Sequence, residues 1–366
     1  MTRRAPWTAV PWTTIVPVVA AVALALAWGR HPDDAVLGLL SLLLVGAVLS
    51  AVHHAEVVAH RVGEPFGSLV LAVAVTVIEV ALIVSLMVSG GKDTSTLARD
   101  TVFAAVMISV NGIVGMCLLV SALRHHLAVF NPEGTGAALS TVIALAAVCL
   151  VVPRFTTTEA GPEFSPAQLA FAAVASLVLY GMFVFTQTIR HRDFFLPVEK
   201  GQADDDHDGH ADPPTVRATW TSLGLLLVSL VAVVGLAKVE SPAIERGVAA
   251  LGFPAAFVGV VIALLVLLPE SIAATRAAAN AQVQIGMNLA YGSAMASIGL
   301  TIPTIAVASI WLDGPLRLGL EPLQIVLLFI TVVVSILTVV PGRAKPLQGG
   351  VHLVLLAGFL FLSISP

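Results

Sequence analysis

Charge is scarce in this chain. Of its 366 residues only 11% are charged and 58% are hydrophobic, whereas a soluble protein carries roughly 25% charged residues. A soluble globular enzyme of this length is excluded, because no core of that size absorbs so much apolar sequence. Cysteine is almost missing. Cys117 and Cys149 both sit in apolar runs and read as small core residues, not as a disulfide or a metal site. The net charge of −4 lacks the basic excess that nucleic acid demands. Alternation of polar and apolar positions is absent, which excludes a membrane barrel. His53, His54 and His60 cluster near one helix end, and His125 and His126 near another. No carboxylate joins them at the spacing of a zinc signature, so they read as polar helix ends at the membrane interface. His352 stands within the last apolar run with no partner in sequence.

What the chain has instead is apolar runs long enough to span a bilayer, which takes roughly 20 residues. Helices are predicted at 14–29, 35–54, 65–89, 98–123, 136–152, 165–189, 218–238, 250–275, 282–310, 321–340 and 347–364. The fold class is therefore an all-α polytopic membrane protein with about eleven transmembrane helices. The first run, with Ala25-Leu-Ala27 imitating a cleavage site, has the look of a signal peptide. A retained first helix is the preferred reading, because so many apolar runs follow. Placing the N-terminus in the cytoplasm puts eleven basic residues in inner connections: Arg3, Arg4, Arg61, Arg124, Arg190, Arg192, Lys200, Arg217, Arg276, Arg343 and Lys345. Seven fall outside: Arg30, Lys92, Arg99, Arg154, Lys238, Arg246 and Arg317. That bias favours a cytoplasmic N-terminus.

The longest polar break, within 191–216, divides the chain. Residues 1–30 form an extra helix, 31–190 a first five-helix repeat, 191–216 an acidic cytoplasmic linker and 217–366 a second five-helix repeat. Five spans per repeat means that the two insert with opposite orientation. The linker holds Asp204, Asp205, Asp206, Asp208 and Asp212, together with His207 and His210. Asp204-x-Asp206-x-Asp208-Gly209 copies the first half of a calcium-binding EF-hand loop, but Thr215 stands where its closing glutamate belongs. A solvated linker that attracts cations weakly, with a regulatory role, is the expectation.

Two acids lie inside apolar helices. Glu79 is central in the run from Pro65 to Ser89, and Glu270 follows Pro269 on the corresponding helix of the second half. The bland reading is a structural acid with a polar neighbour, or for Glu270 a pair with Arg276. A carboxylate in hydrocarbon is costly, however, and marks an ion or proton pathway by default. Pro269 is expected to break its helix and free a carbonyl beside the acid. The helix after each acid is rich in small and polar residues. Close packing explains its glycines and alanines, but not the oxygens of Asn111, Asn288 and Ser293, which suit a hard cation.

Three stretches carry a family likeness: Gly63-Glu-Pro-Phe-Gly-Ser through Thr76-Val-Ile to Glu79, Thr101 through Asn111-Gly112, and Leu268-Pro-Glu270-Ser through Gly292-Ser293 to Pro303. They resemble the cation/proton exchanger branch of the calcium/cation antiporter superfamily, and within it the bacterial ChaA type. The resemblance implies a secondary antiporter of the bacterial inner membrane that moves Ca²⁺, with Na⁺ and K⁺ also associated, against H⁺, and needs no cofactor. It maps the paired glutamates to Glu79 and Glu270, and the adjacent polar positions to Asn111 and Ser293. Other members of the branch tend to carry glutamine where this chain has Ala296, which implies looser ion selectivity. The partners implied are the transported ions and the lipid bilayer. A cation channel without proton coupling, a membrane-embedded hydrolase and a structural scaffold are the alternatives that the residues alone leave open.

Overall fold

Prolines and short polar side chains punctuate the apolar sequence and set where helices begin. Asp33 accepts from the Val36 N–H at 2.9 Å, Asn131 from Glu133 N–H at 2.9 Å and Thr215 from Ala218 N–H at 3.2 Å. Ser165 and Gln168 form a reciprocal capping box with Pro166 at the first helical position. The structure is a computed structural model that describes residues 11–30, 32–63, 66–89, 95–197, 214–311 and 314–365. Its helices are α1 Trp12–Ala27, α2 Asp34–Val62, α3 Phe66–Ser89, α4 Leu97–His125, α5 Pro132–Arg154 and α6 Pro166–Arg190. The second half holds α7 Val216–Ala250, α8 Phe257–Ala279, α9 Val283–Ala308, α10 Pro322–Val339 and α11 Pro346–Ile364. Among the described residues nine of these are long and apolar enough to cross a membrane; α1 and the Ala74–Met87 part of α3 are shorter apolar helices. The architecture is the expected polytopic bundle of one leading helix and two five-helix repeats.

Boundaries differ where polar residues continue a helix past its apolar stretch. Helix α2 runs to Val62, not 54, and ends where Gly63 turns to φ 74°. Helix α7 runs to Ala250, not 238, and carries Glu240, Ser241 and Pro242 within it. Helix α8 starts at Phe257, not 250, after a turn that includes Gly252. Pro269 does not break α8, which is continuous through it. The proline still withholds one N–H from the preceding turn, and the flanking helices hold the axis, as is common in membranes.

The centre of the bundle is made by α3, α4, α8 and α9, with α4 almost wholly enclosed. Helix α4 widens into a π-helical turn over Ile108–Ile113, and α9 loosens at Leu300, where φ is −109°. Such irregular turns leave backbone groups available near interior sites. A second apolar cluster unites α1, α2, α3 and α7. Helices α2 and α7 are antiparallel: Ser41, near the start of α2, touches Glu240 near the end of α7, while Arg61 near the end of α2 reaches the Pro214 carbonyl before α7. Two-residue strands pair Ala128 with Ala344 and Val129 with Arg343, tying the α4–α5 connection to the α10–α11 connection. At the start of α4, Arg99 bonds Asp100 at 2.8 Å and Glu321 at 3.1 Å, fastening α4 to the first residue before α10.

Candidate functional site

Period dictates the site. Ser293 and Ser297 are four residues apart on α9, so their hydroxyls stand on one face, separated by a rise of about 6 Å. The Ser293 hydroxyl donates to Glu270 Oε2 at 3.1 Å, and the Ser297 hydroxyl donates to Glu79 Oε2 at 2.8 Å. One helix thus gathers an acid from α8 and an acid from α3. Both carboxyl groups are interior: Glu79 is 2% exposed and Glu270 6%. Among the described residues, Glu79 Oε1 is buried with no hydrogen-bond partner. Among the described residues neither acid has a basic partner within ion-pair distance. The two carboxylates lie within electrostatic reach of each other, and Glu56 on α2 lies within reach of Glu270.

These oxygens form a donor set suited to a hard cation: two carboxylates, one with a spare oxygen, and two hydroxyls whose lone pairs turn to a cation when one is present. Among the described residues, buried hydroxyls without partners on α4 and α9 include Ser109 on the π turn of α4 and Tyr291 and Thr301 on α9. No group of three or more His, Cys, Asp or Glu forms a metal cage among the described residues.

Of the sequence-predicted residues, Glu79, Glu270 and Ser293 come together. Asn111 does not join them. Its amide donates to Thr331 Oγ1 at 3.0 Å, and its Oδ1 meets His352 Nδ1 at 3.2 Å. His352 also meets Thr338 Oγ1 at 3.2 Å, so the side chain without a sequence partner belongs to a closed polar network between α4, α10 and α11. Asn288 is likewise committed elsewhere. It donates to the Phe195 carbonyl at 2.6 Å and accepts from Gln284 at 2.8 Å. Asp204, Asp205, Asp206, Asp208 and Asp212 lie outside the described residues. His54 bonds the Thr13 carbonyl at 2.9 Å and His125 the Ala279 carbonyl at 3.2 Å, both as helix ties. Sequence reasoning missed Ser297. The Ser293-x-x-x-Ser297 spacing was its only signal.

Comparison with known proteins bears on this geometry. The sodium/calcium exchanger protein family matches the chain twice, over residues 35–189 and 221–365. Glu79 falls in the first match; Glu270, Ser293 and Ser297 fall in the second. "Putative ionic transporter y4hA" of Sinorhizobium fredii (strain NBRC 101917 / NGR234) is 44% identical over 361 residues, 97% of this chain and 96% of that one. "Sodium-potassium/proton antiporter ChaA" of Escherichia coli (strain K12) is 34% identical over 350 residues, 94% of each chain. Among solved structures, the selenium-substituted Ca²⁺/H⁺ antiporter protein YfkE superposes with a TM-score of 0.70 at 13% identity, covering 97% of this chain and 100% of that one.

Proposed function

The chain belongs to the sodium/calcium exchanger protein family, and on that premise we propose that it is a cation/proton antiporter in which Glu79 and Glu270 hold cation and protons in turn. It is a multi-pass membrane transporter, not an enzyme. The observation that carries the reading is the pair of bonds from Ser293 and Ser297, which gathers acids from both family matches onto one buried site.

The chemistry follows from charge. Two ionised carboxylates carry two negative charges in a dry interior and resist movement through a closed intermediate. One Ca²⁺ neutralises both, and so do two protons or two monovalent ions. Only neutralised forms cross readily, so cation and proton take turns and their fluxes are coupled. The serine hydroxyls donate to the carboxylates when no cation is present and offer lone pairs when one is. The two five-helix repeats rock against each other and expose the site alternately. The name of the 34% identical relative supports Na⁺ and K⁺ as cargo. The paired carboxylates support Ca²⁺ as well. The protein acts in the bacterial inner membrane with its N-terminus in the cytoplasm, a placement supported by the distribution of Lys and Arg, and it extrudes cations as protons enter.

Everted vesicles with a pH-sensitive dye test this directly. Adding Ca²⁺, Na⁺ or K⁺ in turn across an imposed pH gradient should release protons for each transported ion. Glu79→Gln and Glu270→Gln should each abolish that release while the protein still inserts. Normal exchange in either variant, or cation movement that ignores the pH gradient, would sink the paired-acid mechanism.

A further inference from the structure

Helix α4 runs through the centre of the bundle, and one hydroxyl on it has no structural duty. Ser109 lies on the π turn, is 0% exposed, and its Oγ has no hydrogen-bond partner among the described residues. A hydroxyl in a helix can settle on the carbonyl one turn back. Thr101 does so on Leu97 at 2.8 Å, and Thr275 on Ser271 at 2.7 Å. Ser109 does not, although leaving a buried hydroxyl unpaired is costly.

Contacts along α4 fix where Ser109 faces. One side of the helix is taken by α10 and α11. There Asn111 donates to Thr331 Oγ1 at 3.0 Å, Phe103 packs edge-on against Phe359, and a Cβ on Gly115 would stand 2.9 Å from the Cβ of His352. Ser109 is two residues from Asn111, about 200° around an α-helix and somewhat less in the wider π turn, so it faces away from that side. The other side meets α8 and α9. A Cβ on Gly259 of α8 would stand 2.8 Å from the Thr101 nitrogen, and a Cβ on Gly286 of α9 would stand 2.7 Å from Cys117 Sγ.

Height agrees with direction. The same Gly286 Cβ would stand 3.0 Å from the Ala274 carbonyl oxygen of α8, so Cys117, Gly286 and Ala274 share one level. From that level Ser109 is eight residues back along α4, Ser293 is seven residues on along the antiparallel α9, and Glu270 is four residues back along α8, which runs parallel to α4. At about 1.5 Å per residue these are rises of roughly 12, 10 and 6 Å, all in one direction. The Glu270 side chain leans toward the start of its helix, which carries its carboxylate up to meet Ser293 at 3.1 Å. Ser109 thus stands level with Ser293, on the wall that α4 presents to the two site helices.

We propose that Ser109 is a further cation ligand of the Glu79–Glu270 site, an assignment that rests on the paired-acid reading above. Its oxygen and Glu79 Oε1 are both buried acceptors without partners among the described residues, and one hard cation satisfies both. A serine hydroxyl takes up no proton in exchange, so Ser109 strengthens the hold on cations and leaves the hold on protons to the carboxylates.

Dye-monitored exchange and thermal unfolding of the full chain test this together. Ser109→Ala should raise half-saturating Ca²⁺ or Na⁺ roughly tenfold, the loss of one charged contact. The rate at saturating cation should be unchanged, and the melting temperature without cation should be equal or higher, because no bond is lost. Thr101→Val, on the same helix, should leave half-saturation as it was, since that hydroxyl is engaged by Leu97. Ser109→Cys places a soft thiol at the site. Cd²⁺ should then block exchange at lower concentration than in the parent protein, and Ca²⁺ should protect. That variant decides the matter if Ser109→Ala fails to insert. Unchanged half-saturation in Ser109→Ala, a lower melting temperature without cation, or Cd²⁺ block no stronger than the parent's overturns the assignment. Exchange that survives Glu79→Gln defeats the paired-acid reading instead, so the two failures are told apart.

Discussion

Ser297 donates the hydrogen bond that Glu79 accepts, and the other oxygen of Glu79 has no partner among the described residues. On the proposed reading the same hydroxyl turns its lone pairs to a bound cation, so Ser297→Ala removes one charged contact of the occupied site, a change worth about 1.5–3 kcal/mol, or tenfold or more in half-saturating cation. Ser297→Thr, which keeps the hydroxyl, should retain most of the affinity. Dye-monitored exchange with each cation reads both. His352 predicts a different signature. His352→Phe strands Asn111 Oδ1 and the Thr338 hydroxyl in a dry interface, at about 1–3 kcal/mol each. Thermal unfolding in detergent should shift downward, while the cation preference of the folded fraction stays as it was. The acids were legible in sequence because a charge in hydrocarbon stands out against its neighbours. Ser297 was not, since a hydroxyl in a helix can always satisfy itself on the preceding carbonyl, as Ser271 does at 2.7 Å. Asn111 misled for a related reason: an amide suits a cation and a histidine equally well, and only packing chooses.

Helices approach closely where glycine permits. Gly115 on α4 and Gly349 on α11 face each other, and a Cβ at Gly349 would stand 2.6 Å from the Leu119 nitrogen and 2.8 Å from the Gly115 carbonyl oxygen. Backbone cannot yield as a side-chain tip can, so Gly349→Ala should force α11 outward and cost about 1–3 kcal/mol. A lower melting temperature with unaltered expression in the membrane checks it. Existence and order of the helices were legible because lipid imposes a minimum apolar length. Their ends were not. Hydropathy measures the thickness of the hydrocarbon, whereas α2 and α7 continue as helices beyond it until glycine or a turn stops them. Pro269 shows the same limit, because a missing N–H does not by itself say whether neighbours will hold a helix straight.

Across the whole molecule, two family matches meet at α9, and the acidic stretch between them falls outside both. Deleting Asp204 through Asp212 should alter apparent affinity or regulation and leave exchange itself intact; vesicle assays of a well-inserted deletion decide, and complete loss would refute the linker reading. The duplication was legible from the count of spans and the matched acids. That duplication gives the two serine bonds unequal fates. Ser293 and Glu270 belong to the same match and travel together, whereas Ser297 and Glu79 belong to different ones. Any rocking of one repeat on the other strains the second bond and spares the first. On the proposed cycle, the bond from Ser297 to Glu79 is therefore the one that movement between the repeats would have to break, and the one from Ser293 to Glu270 would ride through it unbroken.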